Sequence, residues 1–262
     1  MTGGQPSPSA QSPITQSPSP QVPQSLSPLK KHLPNAVTCL NLFSGCLALC
    51  AAFAGNLVLA AYFVALAALF DFFDGLLARA LHVSSPIGKD LDSLADMVSF
   101  GVVPGALLFK LLTQAGTDLP DWLPYAGFVL TVFSALRLAK FNNDTRQSDS
   151  FIGLPTPACT LVVASLPLIL ENDHLALAPF ILNPWLLLGL TALLSGLLVA
   201  ELPLFALKFK TMRWQDNKLR LTFMLLSLVL LAVLREVAVP LIVLLYVLLS
   251  VFSPAQEPAP AA

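Results

Sequence analysis

Four aspartates between residues 71 and 96 have the side chains and the spacing to bind metal ions. Asp71 and Asp74 lie three residues apart and Asp92 and Asp96 lie four apart, so each pair shares one face of a helix. Carboxylates gathered in an apolar chain repel one another and are costly to bury unless cations neutralise them. Oxygen ligands without His or Cys favour Mg²⁺ or Mn²⁺, and Ca²⁺ also fits. We therefore predict a site for one or two divalent ions that binds phosphoryl groups.

Small side chains lie beside these aspartates. Gly75 and Ala78 follow Asp71 by four and seven residues, and Gly88 lies in the next connection. Such residues let a bulky phosphorylated ligand approach the backbone, and Arg79 offers a planar fork for a phosphate. The alternative is that the small residues serve close helix packing and that the acids face a water-filled vestibule.

The elements that position these residues are apolar helices. The 262 residues are 56% hydrophobic and 11% charged, whereas about 25% of residues are charged in an ordinary soluble domain. A helix needs about 20 apolar residues to cross a membrane. Eight apolar segments can be drawn, at residues 36–54, 56–81, 92–114, 122–142, 155–170, 181–200, 219–235 and 238–252.

These segments predict an all-α, polytopic transmembrane bundle of about eight spans. Six spans is the alternative if a short segment lies at the interface, and the last two segments could form one helix kinked at Pro240. In the connection before the third segment, Ser85, Pro86 and Gly88 are expected to interrupt the helix. This break would let the two acidic helices face each other.

Two tails flank the predicted transmembrane domain at residues 29–253. Residues 1–28 consist largely of Pro, Ser and Gln without charge, a composition that favours disorder, and residues 254–262 are predicted to be disordered as well. The N-terminal tail lacks the features of a secretory signal. The four cysteines lie in apolar stretches and are expected to be buried. A net charge of −1 gives no reason to expect a nucleic-acid partner.

The loop charges predict the orientation. With the N-terminus inside, the loops after the second, fourth and sixth segments hold most of the basic residues and those on the other side are acidic. The basic residues are Arg79, Lys89, Lys140, Arg146, Lys208, Lys210, Arg213 and Lys218, and the acidic ones are Asp118, Asp121, Glu171 and Asp173. Basic loops stay in the cytoplasm, so both termini and the acidic cluster are expected to face it.

Eight positions in this region reproduce the pattern DxxDGxxAR, eight residues, then GxxxDxxxD, and the chain thereby resembles the CDP-alcohol phosphotransferase family. The matching residues are Asp71, Asp74, Gly75, Ala78, Arg79, Gly88, Asp92 and Asp96. The resemblance implies an integral membrane enzyme, typically a homodimer with active sites facing the cytoplasm. Such an enzyme transfers a phospho-alcohol group from a CDP-linked donor to an alcohol and releases CMP.

The resemblance also implies roles for these residues. The four aspartates Asp71, Asp74, Asp92 and Asp96 would be the metal ligands, and Asp96 would also be the general base for the acceptor hydroxyl. The CDP pocket would comprise Gly75, Ala78, Arg79 and Gly88.

Three further stretches resemble the bacterial, phosphatidylserine-forming branch of this family, so that the likeness spans residues 33–160. They are residues 33–45, 134–144 and 151–158. This closer likeness implies CDP-diacylglycerol as the donor, L-serine as the acceptor and the bacterial inner membrane as the location. In the last stretch, Pro155 and Pro157 are expected to open a helix and shape the acceptor entrance.

Four polar residues in these stretches are candidate ligands. Thr38 and Asn41 would bind the nucleotide, or would equally form hydrogen bonds between helices. Arg137 and Lys140 would pair with the serine carboxylate, or would be ordinary interfacial basic residues. Lys140 stands where those enzymes commonly have Arg, and it lacks the bidentate fork.

Three other functions compete with serine transfer. A sister enzyme that uses glycerol-3-phosphate or an inositol-type acceptor should need more cations near the site. An intramembrane prenyltransferase would carry its two Asp motifs far apart in sequence, whereas here they are on consecutive helices. A cation-coupled transporter would favour broken spans in two related halves, and the sequence contains no such repeat.

Overall fold

A computed structural model describes residues 28–83, 85–116, 120–143, 151–204 and 214–252. Within these ranges the chain is helical apart from turns and one antiparallel pair of two-residue strands. The first helix begins at Pro28, the last residue of the predicted N-terminal tail. The rest of that tail and the C-terminal tail lie outside the described residues, as do Asp118, Arg146, Lys208, Lys210 and Arg213.

The helices follow the eight predicted apolar segments. In chain order the elements are α1 (Pro28–Phe53), α2 (Leu57–Ala80), α3 (Pro86–Asp96), a π-helical turn (Met97–Val102), α4 (Val103–Gln114), a 3₁₀ helix (Leu123–Phe128), α5 (Val129–Asn143), β1 (Phe151–Ile152), α6 (Thr156–Asn172), α7 (Ala178–Ile181), α8 (Pro184–Val199), β2 (Pro203–Leu204), α9 (Trp214–Leu234), a 3₁₀ turn (Arg235–Val237) and α10 (Ala238–Phe252). The prediction of an all-α fold is confirmed.

Among the described residues, four helical stretches are long and apolar enough to cross a membrane. They are His32–Phe53, Leu57–Ala80, Pro86–Gln114 and Arg220–Val251. The last stretch comprises two helices, α9 and α10, and the turn between them. Helices α6 and α8 are also apolar but have 17 and 16 residues, which corresponds to about 25 Å at 1.5 Å per residue. The chain is an integral membrane protein, and a count of eight spans stays a prediction.

The last two helices form a hairpin. The ring centroids of Phe223 on α9 and Tyr246 on α10 are 5.8 Å apart, whereas residues that far apart in one straight helix would be separated by about 35 Å. The chain reverses at Arg235, which adopts a φ of 48°. Pro240 lies in the first turn of α10, where proline is tolerated. The alternative of one helix kinked at Pro240 is therefore wrong.

One end of the bundle gathers the ends of several helices, and we call it the acidic end because α2 and α3 meet there. The Lys89 ammonium on α3 donates a hydrogen bond to the carbonyl oxygen of Asn142 at the end of α5 (3.2 Å). Lys140, also near the end of α5, forms an ion pair with Glu201 just after α8 (3.1 Å). The connections after the second, fourth and sixth predicted segments thus share one end, as the loop charges predict.

The opposite end, which we call the far end, is closed by a second set of contacts. Lys110 on α4 donates a hydrogen bond to the carbonyl oxygen of Phe53 at the end of α1 (3.3 Å). Asn172 at the end of α6 donates one to Glu236 in the turn of the α9–α10 hairpin (3.1 Å). Successive long helices therefore alternate in direction.

Small side chains pack α1 against α2. Ala48 and Ala52 on α1 and Ala60, Ala61 and Val64 on α2 are buried, and such residues let helix backbones approach closely in a membrane. The core continues into α4, α6 and α8. This packing makes the α1–α2 pair a firm support for the residues at its acidic end.

The cysteines correct one expectation. Cys159 on α6 is buried, but Cys39, Cys46 and Cys50 on α1 are exposed. The prediction of burial is wrong for these three because, in a membrane protein, an apolar side chain can face lipid as readily as protein.

Candidate active site

Helices α2 and α3 bring the aspartates together at the acidic end. Asp71 and Asp74 lie in the C-terminal part of α2, and Asp92 and Asp96 lie on α3. One carboxylate oxygen from each of Asp71, Asp74 and Asp92 lies within 4.8 Å of the other two. The Asp96 carboxylate interacts electrostatically with that of Asp71. Three of the four predicted metal ligands therefore converge in the folded chain, and Asp96 lies outside that group of three.

The start of α3 fixes the second pair of aspartates. Pro86 lies in the first turn, and the Ser85 hydroxyl accepts a hydrogen bond from the backbone N–H of Gly88 (3.0 Å), as an N-cap does. A Cβ placed on Gly88 would lie 3.0 Å from the side-chain oxygen of Asn35. Ser85 and Pro86 thus mark the start of a new helix, which agrees with the predicted break before it. Gly88 lies inside the first turn of that helix, where the absence of a side chain lets α1 pack closely.

The cluster suits a divalent cation. Its donors are carboxylate oxygens, the ligands that Mg²⁺, Mn²⁺ and Ca²⁺ prefer. Asp74 is 6% exposed, and among the described residues its Oδ2 atom has no hydrogen-bond partner. A buried carboxylate oxygen without a partner is costly, and a metal ion would provide the missing interaction. The residues present therefore fit the predicted metal.

Asp96 has its own partner on α1. The side-chain amide of Asn41 donates a hydrogen bond to Asp96 Oδ1 (3.2 Å), and Asn41 is completely buried. The backbone oxygen of Asn41 in turn accepts a hydrogen bond from the Ser99 hydroxyl (3.1 Å). Gly45 makes this approach possible, because a Cβ there would lie 3.0 Å from the Cα of Ser99.

The π-helical turn begins directly after Asp96. Such wide turns leave backbone groups without their usual helical partners and are frequent at functional sites. Here the Phe100 oxygen accepts a hydrogen bond from Thr160 on α6 (2.9 Å), and the Gly101 oxygen accepts one from Thr131 on α5 (2.8 Å). Neighbouring helices thereby fix the turn that follows Asp96.

A cleft of about 240 Å³ opens beside the carboxylates. Its lining comprises Pro34, Asn35, Thr38, Asp74, Gly75, Ala78, Val83, Ser85, Gly88, Lys89 and Asp92. Four of the predicted nucleotide ligands, Thr38, Gly75, Ala78 and Gly88, are among these residues. Polar groups from α1, α2 and α3 thus surround a space that adjoins the metal candidates.

Two predicted nucleotide ligands, Asn41 and Arg79, are not among the described residues that line the cleft. Asn41 is directed at Asp96 rather than at the cleft. Arg79 is exposed and donates a hydrogen bond from Nε to the backbone oxygen of Gly75 on its own helix (3.0 Å). Their assignment to CDP stays a prediction, and for Asn41 the geometry favours the alternative of a hydrogen bond between helices.

The two acceptor candidates have different surroundings. Arg137 is 6% exposed, donates a hydrogen bond from Nε to the Leu154 oxygen (2.7 Å) and lies over the Phe141 ring at 5.3 Å. Its guanidinium also interacts electrostatically with Asp96. Lys140 is exposed and paired with Glu201. Of the two, Arg137 is therefore the one placed toward the aspartates.

The segment at residues 151–158 supports Arg137. Strand β1 pairs with β2, and the Leu154 N–H donates a hydrogen bond to the oxygen of Leu197 on α8 (2.9 Å). Gly153 adopts a φ of 78°, and a Cβ there would lie 2.8 Å from the oxygen of Leu198. Pro155 and Pro157 open α6 as predicted. The segment thus fixes the carbonyl group that Arg137 binds.

Several residues of the site were missed by sequence reasoning. Lys89 directly follows Gly88, and Asn35 lies three residues before Thr38 on one helix face. Their closeness in sequence to predicted site residues could have identified both. Asn142, which donates a hydrogen bond to Ser93 (2.8 Å), carried no such signal, because its contact joins α5 to α3.

Comparison with known families gives one match that covers more than half of the chain. The family model described as CDP-alcohol phosphatidyltransferase matches residues 31–197.

Curated relatives carry related names. The CDP-diacylglycerol–serine O-phosphatidyltransferase of Helicobacter pylori strain J99 is 32% identical over 75% of this chain and 80% of that protein. The Bacillus subtilis protein of the same name is 31% identical over 65% of this chain and 88% of that protein. The archaetidylserine synthase of Methanothermobacter thermautotrophicus is 34% identical over 51% of this chain and 56% of that protein.

Proposed function

Because the chain belongs to the CDP-alcohol phosphatidyltransferase family, we propose that it transfers the phosphatidyl group of CDP-diacylglycerol to the hydroxyl of L-serine. The products are phosphatidylserine and CMP. The observation that carries the proposal is the set of three carboxylates within 4.8 Å of one another beside a cleft lined by small and polar residues. The names of the serine-using relatives support the choice of acceptor.

The reaction is a displacement at phosphorus. The serine oxygen forms a bond to the lipid-side phosphorus of the donor, the bond from that phosphorus to the CMP oxygen breaks, and the hydroxyl proton passes to Asp96. Phosphoryl transfer depends mainly on positioning and charge neutralisation, with a base near the proton. A bound Mg²⁺ or Mn²⁺ supplies the positive charge that offsets the phosphate oxygens.

Each aspartate has a part in this scheme. Asp71, Asp74 and Asp92 hold one or two divalent ions, because their oxygens converge. Asp96 is the general base, and its electrostatic interaction with Asp71 supports it as the fourth ligand that the resemblance implies. The hydrogen bond from Asn41 occupies Oδ1 of Asp96 and leaves Oδ2 to take the proton.

The acceptor site lies on the α5 side. Arg137 provides a buried guanidinium that interacts with Asp96, so a serine whose hydroxyl meets Asp96 can place its carboxylate near Arg137. Lys140 is engaged with Glu201, which leaves Arg137 as the stronger candidate. One well-placed cation suits serine better than an acceptor that brings an additional phosphate.

The remaining features follow from the loop charges and the resemblance. The protein lies in the bacterial inner membrane with eight spans, and the acidic end faces the cytoplasm because the basic loops lie there. It forms a homodimer, as the family resemblance implies.

The test is a measurement of CMP release from CDP-diacylglycerol by the purified protein in detergent with Mg²⁺ or Mn²⁺. Serine, glycerol-3-phosphate and inositol are offered separately. Release stimulated by serine supports the proposal. Release with a different alcohol would refute serine as the acceptor. If the folded protein releases CMP with none of the three alcohols, the result would favour a cation-coupled transporter.

A further inference from the structure

We propose that Lys89 binds the phosphates of the CDP-linked donor. This inference rests on the proposed function, because it adds a residue to the donor site of that reaction. Lys89 lies in the first turn of α3, directly after Gly88, outside the eight positions of the motif.

The charge of the cleft gives the first reason. Lys89 lines the cleft together with Asp74 and Asp92, and among the described residues that line it, Lys89 is the single basic one. A nucleoside diphosphate brings further negative charge into this acidic space. Positive charge is therefore needed on the protein side as well as from the metal, and an ammonium group is a common phosphate ligand.

The hydrogen bonds of Lys89 give the second reason. An ammonium group has three donors, and that of Lys89 donates to the backbone oxygen of Asn142 (3.2 Å). That contact uses one of the three donors, and Lys89 itself remains among the residues that line the cleft. Within the part of the chain that the structure describes, the remaining donors are free to bind a phosphate.

Capping of α5 is the competing explanation, since basic side chains often bind carbonyl groups at helix C-termini. The end of α5 has another tie to α3, because the Asn142 side chain donates a hydrogen bond to Ser93 (2.8 Å). Capping alone therefore does not account for a lysine in the lining of the cleft. Arg79, the cation of the motif, donates a hydrogen bond to the Gly75 oxygen and is not among the described residues that line the cleft.

The experiment measures the binding of cytidine, CMP and CDP to the full chain in detergent with saturating Mg²⁺, from the rise in unfolding temperature. Lys89→Gln is expected to weaken CDP binding about tenfold, as loss of a charged hydrogen bond does, and to leave cytidine binding unchanged. Lys89→Arg should keep most of the affinity. Lys110→Gln is the matched control, because Lys110 also binds a helix-end carbonyl group, that of Phe53 at the far end.

Two outcomes would overturn the assignment. Unchanged CDP affinity in Lys89→Gln is one, and an equal loss for cytidine and CDP, which would indicate general damage to the cleft, is the other. If Lys89→Gln does not fold, Lys89→Met, which keeps the alkyl chain, replaces it in the same comparison.

An anionic lipid headgroup is a second source of phosphate. The donor KM is therefore measured in micelles with and without phosphatidylglycerol. An effect of Lys89→Gln confined to micelles with that lipid, with normal CDP affinity, would refute donor binding. A wild-type protein that binds CDP but releases no CMP with serine would refute the proposed function, while a loss of CDP affinity in Lys89→Gln would still support this inference.

Discussion

Asp96 has different neighbours from the other three aspartates. It is the last residue before the π-helical turn, and Asn41 holds one of its oxygens. Asp74, by contrast, has a buried oxygen without a protein partner among the described residues. This difference agrees with the proposal that Asp96 takes the proton of the acceptor hydroxyl in addition to its part in the metal site.

Substitution of Asp96 by Asn is expected to stop turnover and preserve donor binding. Loss of a general base typically costs about 10²- to 10⁴-fold in rate, and loss of a metal ligand would add to this. The measurement is CMP release together with CDP binding. Asp90→Asn is the control, because Asp90 lies exposed on the same helix. Near-normal turnover in Asp96→Asn would exclude Asp96 from the mechanism.

Substitution of Arg137 by Ala is expected to raise the serine KM by about 10- to 100-fold, in line with the loss of a charged hydrogen bond, with a much smaller change in the donor KM. Lys140→Ala should have a weaker effect, because Lys140 is exposed and paired with Glu201. Lys110→Ala at the far end serves as the unaffected control. Equal increases in both KM values for Arg137→Ala would indicate a structural role instead.

At the scale of elements, the turn before α6 connects helix packing with the proposed acceptor site. Gly153 has a positive φ and lies close to backbone oxygens of Leu198 and Ala200. The next residue, Leu154, offers its carbonyl group to Arg137. A change in this turn should therefore reach the acceptor side without any direct contact with substrate.

Gly153→Ala is expected to lower the free energy of unfolding by about 1–3 kcal/mol, because it combines a left-handed backbone with a steric clash. The serine KM should rise as the Leu154 carbonyl shifts. Thermal unfolding and steady-state kinetics would measure both effects. Gly189→Ala on α8, where a Cβ meets nothing within 4 Å, should leave the serine KM unchanged and should not lower the stability, because Ala favours a helix over Gly by about 1 kcal/mol. A Gly153→Ala protein as stable as the wild type would contradict this account of the turn.

At the scale of the whole molecule, carboxylates from α2 and α3 converge on one point, where a bound cation would link the two helices. Three carboxylates that converge repel one another without a cation, so Mg²⁺ or Mn²⁺ should stabilise the folded protein. At one hundred times the dissociation constant, a ligand adds about 2.7 kcal/mol. Thermal unfolding with metal and with EDTA would measure this gain, and EDTA should also abolish CMP release.

Asp74→Asn should remove most of that metal-dependent gain, whereas Asp90→Asn should retain it. If metal stabilised Asp74→Asn as much as the wild type, the ion would have to bind elsewhere.

The two ends of the bundle should face different compartments. In a cysteine-free background, a membrane-impermeant maleimide is expected to label Asp121→Cys in intact spheroplasts. It should label Glu201→Cys only after the spheroplasts are lysed. Asp121 and Glu201 are both exposed, and Glu201 lies at the acidic end. The reverse labelling pattern would refute a cytoplasmic active site.

The sequence alone was sufficient for the all-α fold, the eight helical segments, the family and the carboxylate cluster. Helical segments follow from runs of apolar residues, and a face follows from spacing within one helix. The aspartate pairs obey that rule, so spacing alone places Asp71 with Asp74 on one helix face and Asp92 with Asp96 on another. The family model agrees with the motif that predicted the family.

The tertiary structure decided which helices meet and which way the polar side chains point. It directed Asn41 to Asp96, separated Arg137 from Lys140, folded α9 back on α10 and brought Lys89 into the cleft. It also left three cysteines of α1 exposed. The physical reason is that these outcomes depend on contacts between residues far apart in the chain, and local spacing carries no information about which distant helix will supply the partner.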